Sequence, residues 1–230
     1  MASQIWTFTT SQTFNFTGSA ISGGTPTSSV SASIECWGAG GHGNSNGTGG
    51  SGGAYATRMV LLKSGSYVIV VGQPTSDLGG TSSFTSASVQ LVVAAGGKKD
   101  GSISHQLAIC SGSTINLGGL GGDNDSGYAG YNGASGGGAG GALGAGENGR
   151  SGHTATTTVG AIGGRYNNSG VAKFGGSGAY YYSGPAINQV FPATDGDVPG
   201  CGGGGGYDYG TDSSANGGAG LVTVWIDSSF

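Results

Sequence analysis

The sequence predicts an all-β fold: a β-sandwich with a large Gly-rich insertion that forms packed polyglycine II helices, and almost no α-helix. Three observations lead there. Short segments alternate apolar and polar residues with period two, the mark of a half-buried strand. Glycine supplies 55 of the 230 residues and recurs at intervals of three. No segment combines a helical apolar period with capping residues.

Along the chain, Ile5 to Thr9 and Thr13 to Phe16 alternate aromatic or aliphatic residues with polar ones. In the next strand Val30, Ala32, Ile34 and Cys36 are apolar while Ser31, Ser33 and Glu35 are polar, so one face is expected to be buried. Tyr55 to Leu62, Tyr67 to Val71 and Val89 to Ala95 follow, and Lys63 to Ser66 reads as a hairpin-like turn between the first two. Several short strands with turn signals fit a sandwich or barrel. Leu221 to Ile226 closes the chain, with Val222, Val224 and Ile226 on one face and Leu221, Thr223 and Trp225 on the other. It is expected to join the sheet system of Val30 to Trp37. The reading is therefore one domain over 1–230, strand-rich over 1–110, with a Gly-rich insertion over 111–219 and a closing strand over 220–226.

Within the glycine tracts, Gly38, Gly41, Gly47, Gly50 and Gly53 share one phase, interrupted at Asn44. Gly127, Gly130, Gly133 and Gly136 form a second run, and Gly146, Gly149 and Gly152 a third. A three-residue repeat matches polyproline II geometry, which makes no internal hydrogen bonds. Each tract must then bond to neighbours, and glycine permits the close backbone approach this needs. The competing reading is a low-complexity linker. The Tyr, Leu and Ala interleaved with doubled glycines, and the strand that follows, argue for an insertion that returns to the sheet.

Composition excludes several classes. Leu, Ile, Val and Phe together fall just under the roughly 20% at which disorder is suspected. Disorder also calls for high net charge, and here it is only −4. Collagen needs strict Gly-X-Y with abundant proline, whereas this chain has 5 Pro. Lys98 and Lys99 are its only adjacent cations, so no basic patch points to nucleic acid. No run approaches the ~18 apolar residues of a membrane-spanning helix. The first ten residues lack a basic and then apolar leader pattern, so export by a conventional signal is not expected. Cys36, Cys110 and Cys201 are odd in number and widely spaced, which favours reduced thiols over a disulfide framework.

The motifs that could carry chemistry lack their contexts. Gly38 to Gly43 fits G-x-G-x-x-G, but no helix signal follows. Gly49 to Gly53 and Gly133 to Gly137 fit G-x-S-x-G without the strand-to-helix turn of a nucleophile elbow. His42, His105 and His153 have no metal-ligand spacing. Asp123-Asn124-Asp125 starts like a calcium loop but lacks the later Gly and Glu, and Asp195, Asp197, Asp208 and Asp212 read as loop polarity. The expectation is no catalytic residue, no metal and no cofactor.

Tyrosine is the informative residue. Tyr128, Tyr131, Tyr166, Tyr180, Tyr181, Tyr182, Tyr207 and Tyr209 all lie beyond residue 127, set among Gly, Ser, Asn and Asp. Recognition loops favour this mixture, because Tyr gives contact area at low entropy cost while small polar residues adapt. These eight are the candidate receptor-binding residues, with Tyr180 to Tyr182 and Tyr207 with Tyr209 read as loops between glycines. The alternative is that the rings fill space between polyglycine helices.

The stretch Ile34 to Gly41, with Gly52 to Ala56, Tyr67 to Gly72, Gly79 to Phe84, Ala94 to Gly97 and Gly218 to Ile226, resembles the glycine-rich domain of phage tail fibre proteins and related surface proteins. The resemblance runs from about Ile34 to Ile226, and the architecture it implies is similar to the distal adhesins of T-even-like phages. The first 33 residues do not resemble the fibre-attachment region of those adhesins. It implies a non-enzymatic virion surface protein, on a tail fibre, spike or head fibre, assembled in the host cytoplasm. Its partners would be a bacterial surface protein or glycan and other virion proteins, with no nucleic acid and no membrane insertion. The other readings are a purely structural virion protein and a cellular extracellular Gly-rich module that binds a ligand.

Overall fold

The computed structural model describes residues 4–17, 29–123, 133–151, 165–168, 171–176, 179–183, 188–206 and 214–226. Its strands are β1 (Gln4–Phe8), β2 (Gln12–Phe16), β3 (Ser29–Trp37), β4 (Tyr55–Lys63), β5 (Gly65–Val70), β6 (Ser82–Ser86), β7 (Val89–Ala94) and β8 (Thr114–Asn116). Four short strands follow, β9 (Arg165–Asn168), β10 (Val171–Phe174), β11 (Tyr180–Ser183) and β12 (Asn188–Phe191), and the chain closes with β13 (Leu221–Ile226). The only helix among the described residues is the single turn α1, Gln106–Ile109. The fold is thus nearly all β, as expected.

Two antiparallel sheets enclose the core. One has the order β1-β13-β3-β4-β8 and the other β2-β5-β6-β7. β13 lies between β1 and β3, with Val222 opposite Cys36 and Val224 opposite Ile34, so the last strand joins the sheet system of Val30 to Trp37 as its pattern requires. Period-two alternation sets the inner faces. Ala32, Ile34 and Cys36 of β3 meet Val222, Val224 and Ile226 of β13, and across the sandwich Phe14, Tyr67, Ile69, Phe84 and Val92. Burying a side chain such as Ile34 or Phe84 contributes roughly 1.5–3 kcal/mol. The rings of Phe8, Phe14 and Tyr67 meet at centroid distances of 5.4 and 6.4 Å, within the range for favourable aromatic pairs.

Two expectations need correction. Lys63 to Ser66 is not a hairpin turn, because β4 and β5 belong to different sheets and the chain turns a corner there. The Tyr67 hydroxyl closes that corner, accepting from Lys63 N at 2.9 Å and donating to Lys63 O at 2.8 Å. Tyr180 to Tyr182 is not an irregular loop but strand β11, paired with β12 so that Tyr181 opposes Val190. Neither is legible from local alternation, since a strand pattern names no partner strand.

The hairpin between β6 and β7 turns on two residues, Ala87 (φ 43°) and Ser88 (φ 69°). Two-residue hairpins favour such positive angles because their twist matches the strands, and Asn-Gly is the favoured pair. A residue with a Cβ held there costs about 1–2 kcal/mol. Combining Ala87→Asn with Ser88→Gly is expected to raise stability by roughly 1 kcal/mol, seen as a higher urea midpoint at unchanged slope.

Candidate functional site

The glycine tracts bond to one another with a period of three, which is the period of a threefold helix. In tract 49–54, Gly49 and Gly52 donate to Gly122 and Gly119, Gly50 and Gly53 donate to Gly203 and Gly200, and Ser51 and Ala54 donate to Lys98 and Ala95. Its carbonyls at Ser51 and Ala54 accept from Gly41 and Gly38, and those at Gly50 and Gly53 accept from Gly137 and Gly140. Glycines that share a phase in the sequence therefore aim at the same neighbour.

The remaining face of this tract is filled by a side chain. The Gln106 amide donates to Gly52 O at 2.7 Å and accepts from Gly118 N at 3.0 Å, and the residue is fully buried. Its carboxamide stands where another glycyl peptide would sit. Tract 200–206 has neighbours on all sides: it donates to 38–44, 134–137, 194–197 and Ala219, and accepts from 50–53, from Gly176 and Ala179, and from 215–218. These glycines leave no room for a side chain. A Cβ on Gly50 would fall on the Gly41 carbonyl, and one on Gly202 on the Gly50 carbonyl.

A small apolar joint ties this bundle to the sandwich, with Trp37, Tyr55, Ala139 and Cys201 packed together and the Trp37 and Tyr55 rings 4.9 Å apart. The Tyr55 hydroxyl donates to Glu35 Oε1 at 2.7 Å, and Thr223 Oγ1 donates to Glu35 Oε2 at 2.9 Å.

The lattice absorbs the motif residues. Ser51 is fully buried, donating to Ser102 O at 2.9 Å and accepting from Lys98 N at 2.8 Å. Ser135 is also buried and accepts from Arg150 N at 2.8 Å. His105 Nε2 lies 2.9 Å from Gly96 O, and Asp195 accepts from Asn216 N at 2.8 Å. His153, Asp125, Asp208 and Asp212 lie outside the described residues. Burial, with the Glu35 carboxylate beside it, pushes the Cys36 thiol far above its ordinary range. Burial also raises Cys110, against a hydrogen bond from Ala95 N. Both are thus held as unreactive neutral thiols at neutral pH.

The bundle has two ends. The near end adjoins the sheets: Gly38 follows β3, Ala54 precedes β4 and Ala95 follows β7, and these are linked by Gly38 N to Ala54 O and Ala54 N to Ala95 O. The far end is another connected set. Gly43 donates to Ala215, Gly206 to Asn44, Gly49 to Gly122, Gly122 to Ser135, Gly133 to Ala179, and Ala179 to Gly205.

The tyrosine-bearing segments are anchored at that far end. Tyr128 and Tyr131 lie outside the described residues, but the flanking Gly122 and Gly133 belong to the far-end set. Tyr207 and Tyr209 also lie outside, and the chain leaves and rejoins beside them at Gly206 and Ala215. Tyr180, Tyr181 and Tyr182 start directly after Ala179. Tyr166 stands apart, opposite Lys173 in the β9–β10 hairpin, which rejoins the bundle midway, where Gly176 bonds to Gly202. Sequence reasoning missed Gln106, a lone polar residue in an apolar turn whose burial has no local signal.

A family described as a glycine-rich domain matches residues 15–227 of the chain. No curated protein matches it.

Proposed function

We propose a function from the premise that this chain belongs to the glycine-rich domain family, a membership carried by the match over residues 15–227. It is a non-enzymatic bacteriophage virion surface protein, on a tail fibre, spike or head fibre, whose tyrosine-bearing segments attach the particle to a bacterial surface protein or glycan. The observation that supports this reading is the convergence of anchor points on one end of a rigid base. Gly122 and Gly133, Ala179, and Gly206 and Ala215 are cross-linked there by backbone hydrogen bonds. Segments hung from such a base can vary freely, because their own backbone contributes little to the core.

An aromatic anchor buried at an interface commonly contributes 2 kcal/mol or more, so removing one weakens binding by about thirtyfold or more. Tyr181→Ala and Tyr207→Ala, each checked for folding by circular dichroism, are expected to lower adsorption to host cells by that factor. Folded variants that adsorb like the parent would sink the attachment reading and leave a purely structural virion protein ahead.

A further inference from the structure

The two sides of the sandwich end differently. On one side, β7 is bridged to Ser111 by hydrogen bonds in both directions, and β8 is only three residues long. That side is stitched and blunted. On the other side lie β1 in one sheet and β2 in the other, joined by residues 9–11. Among the described residues, no backbone group of β1 bonds to anything beyond β13.

An exposed edge presents a row of unpaired N–H and C=O groups, and proteins that stay monomeric blunt it with Lys, Pro or a bulge. β1 reads Gln-Ile-Trp-Thr-Phe and β2 Gln-Thr-Phe-Asn-Phe. Neither carries a charge or a proline, and both pair with their inner neighbours in unbroken register. Ile5 is 64% exposed on this edge.

We propose that the β1 edge is the docking surface for a second copy of this chain, whose own β1 adds antiparallel across a two-fold axis normal to the sheet. The uncharged sequence of β1 favours that occupant. A two-fold contact sets the same patch against itself, and an uncharged strand brings no like charges opposite each other when paired with its own copy. β2, the edge strand of the other sheet on the same side, is equally uncharged, so the second sheet adds no charge repulsion to this pairing. The product is one continuous ten-stranded sheet, in which Met59, three strands inward on the outer face and 57% exposed, stays uncovered.

The full chain is expected to sediment as a dimer of twice its 22.0 kDa mass, dissociating on dilution. Ile5→Lys combined with Thr7→Lys sets like charges across the axis and should weaken self-association by at least about tenfold. The Glu versions at both positions, mixed with the Lys versions, should restore pairing. Met59→Lys should leave it unchanged. On the unaltered chain, amide exchange at Gln4 to Phe8 should slow as concentration rises. A parent that stays monomeric, a dimer broken by Met59→Lys rather than by the edge pair, or β1 exchange independent of concentration would each overturn the proposal.

Discussion

Gly50→Val is expected to destabilise the protein by at least about 3 kcal/mol, which for a chain of this size lowers the melting temperature by roughly 6–12 °C. The Cβ of residue 50 would land on the carbonyl carbon and oxygen of Gly41, backbone atoms that cannot swing away like a side chain end. Tract 38–43 would have to retreat. It is held by Gly41 N to Ser51 O and by Gly203 N to Gly41 O, both 2.9 Å, so retreat strains its bonds to the tract of Gly50 itself and to tract 200–206. Gly202→Val should behave alike, since its Cβ would fall on the Gly50 carbonyl. Leu143→Ala, at a site 75% exposed, should change stability by less than about 0.5 kcal/mol. Both glycine variants melting with the parent would mean that the tracts are loops and not a lattice.

Gln106→Leu is expected to cost about 3 kcal/mol or more at nearly constant volume. It would leave Gly52 O and Gly118 N buried without partners, and each unsatisfied group costs roughly 1–3 kcal/mol. Gln106→Glu separates this account from simple packing. A carboxylate can accept from Gly118 N but cannot donate to Gly52 O, and burial raises its folded-state pKa above the ordinary value of about 4.3. A raised folded pKa gives stability that is fully present below the unfolded value and is lost as pH rises through the folded one. Relative to the parent, the variant should therefore be nearly unimpaired below about pH 4.3 and progressively weaker toward neutrality. Chemical denaturation at several pH values reads this directly. A deficit independent of pH would refute the bonding role.

Parts of the candidate site were legible in the sequence. The enrichment of tyrosine among Gly, Ser and Asn beyond residue 127 is visible from composition alone. That Gly122, Gly133, Ala179, Gly206 and Ala215 share one end of the bundle is not, because their bonds join residues tens of positions apart. At Tyr180 to Tyr182 the flanking glycines signal a turn, while the partner strand β12 that pairs with it is short and carries no distinctive pattern.

What the sequence determined alone is whatever repeats locally. Alternation at Val30 to Cys36 and Val222 to Ile226 sets which faces are buried, because a strand's side-chain period is two. The spacing of Gly38, Gly41, Gly50 and Gly53 sets which peptides aim together, because the polyglycine helix repeats every three residues. The tertiary structure alone decided which tracts became neighbours, that β4 and β5 would part into different sheets, and that Gln106 would stand in for a peptide. Glycine carries no side chain to encode a partner. The choice among identical backbones is made by register and by the strands that fix where each tract begins.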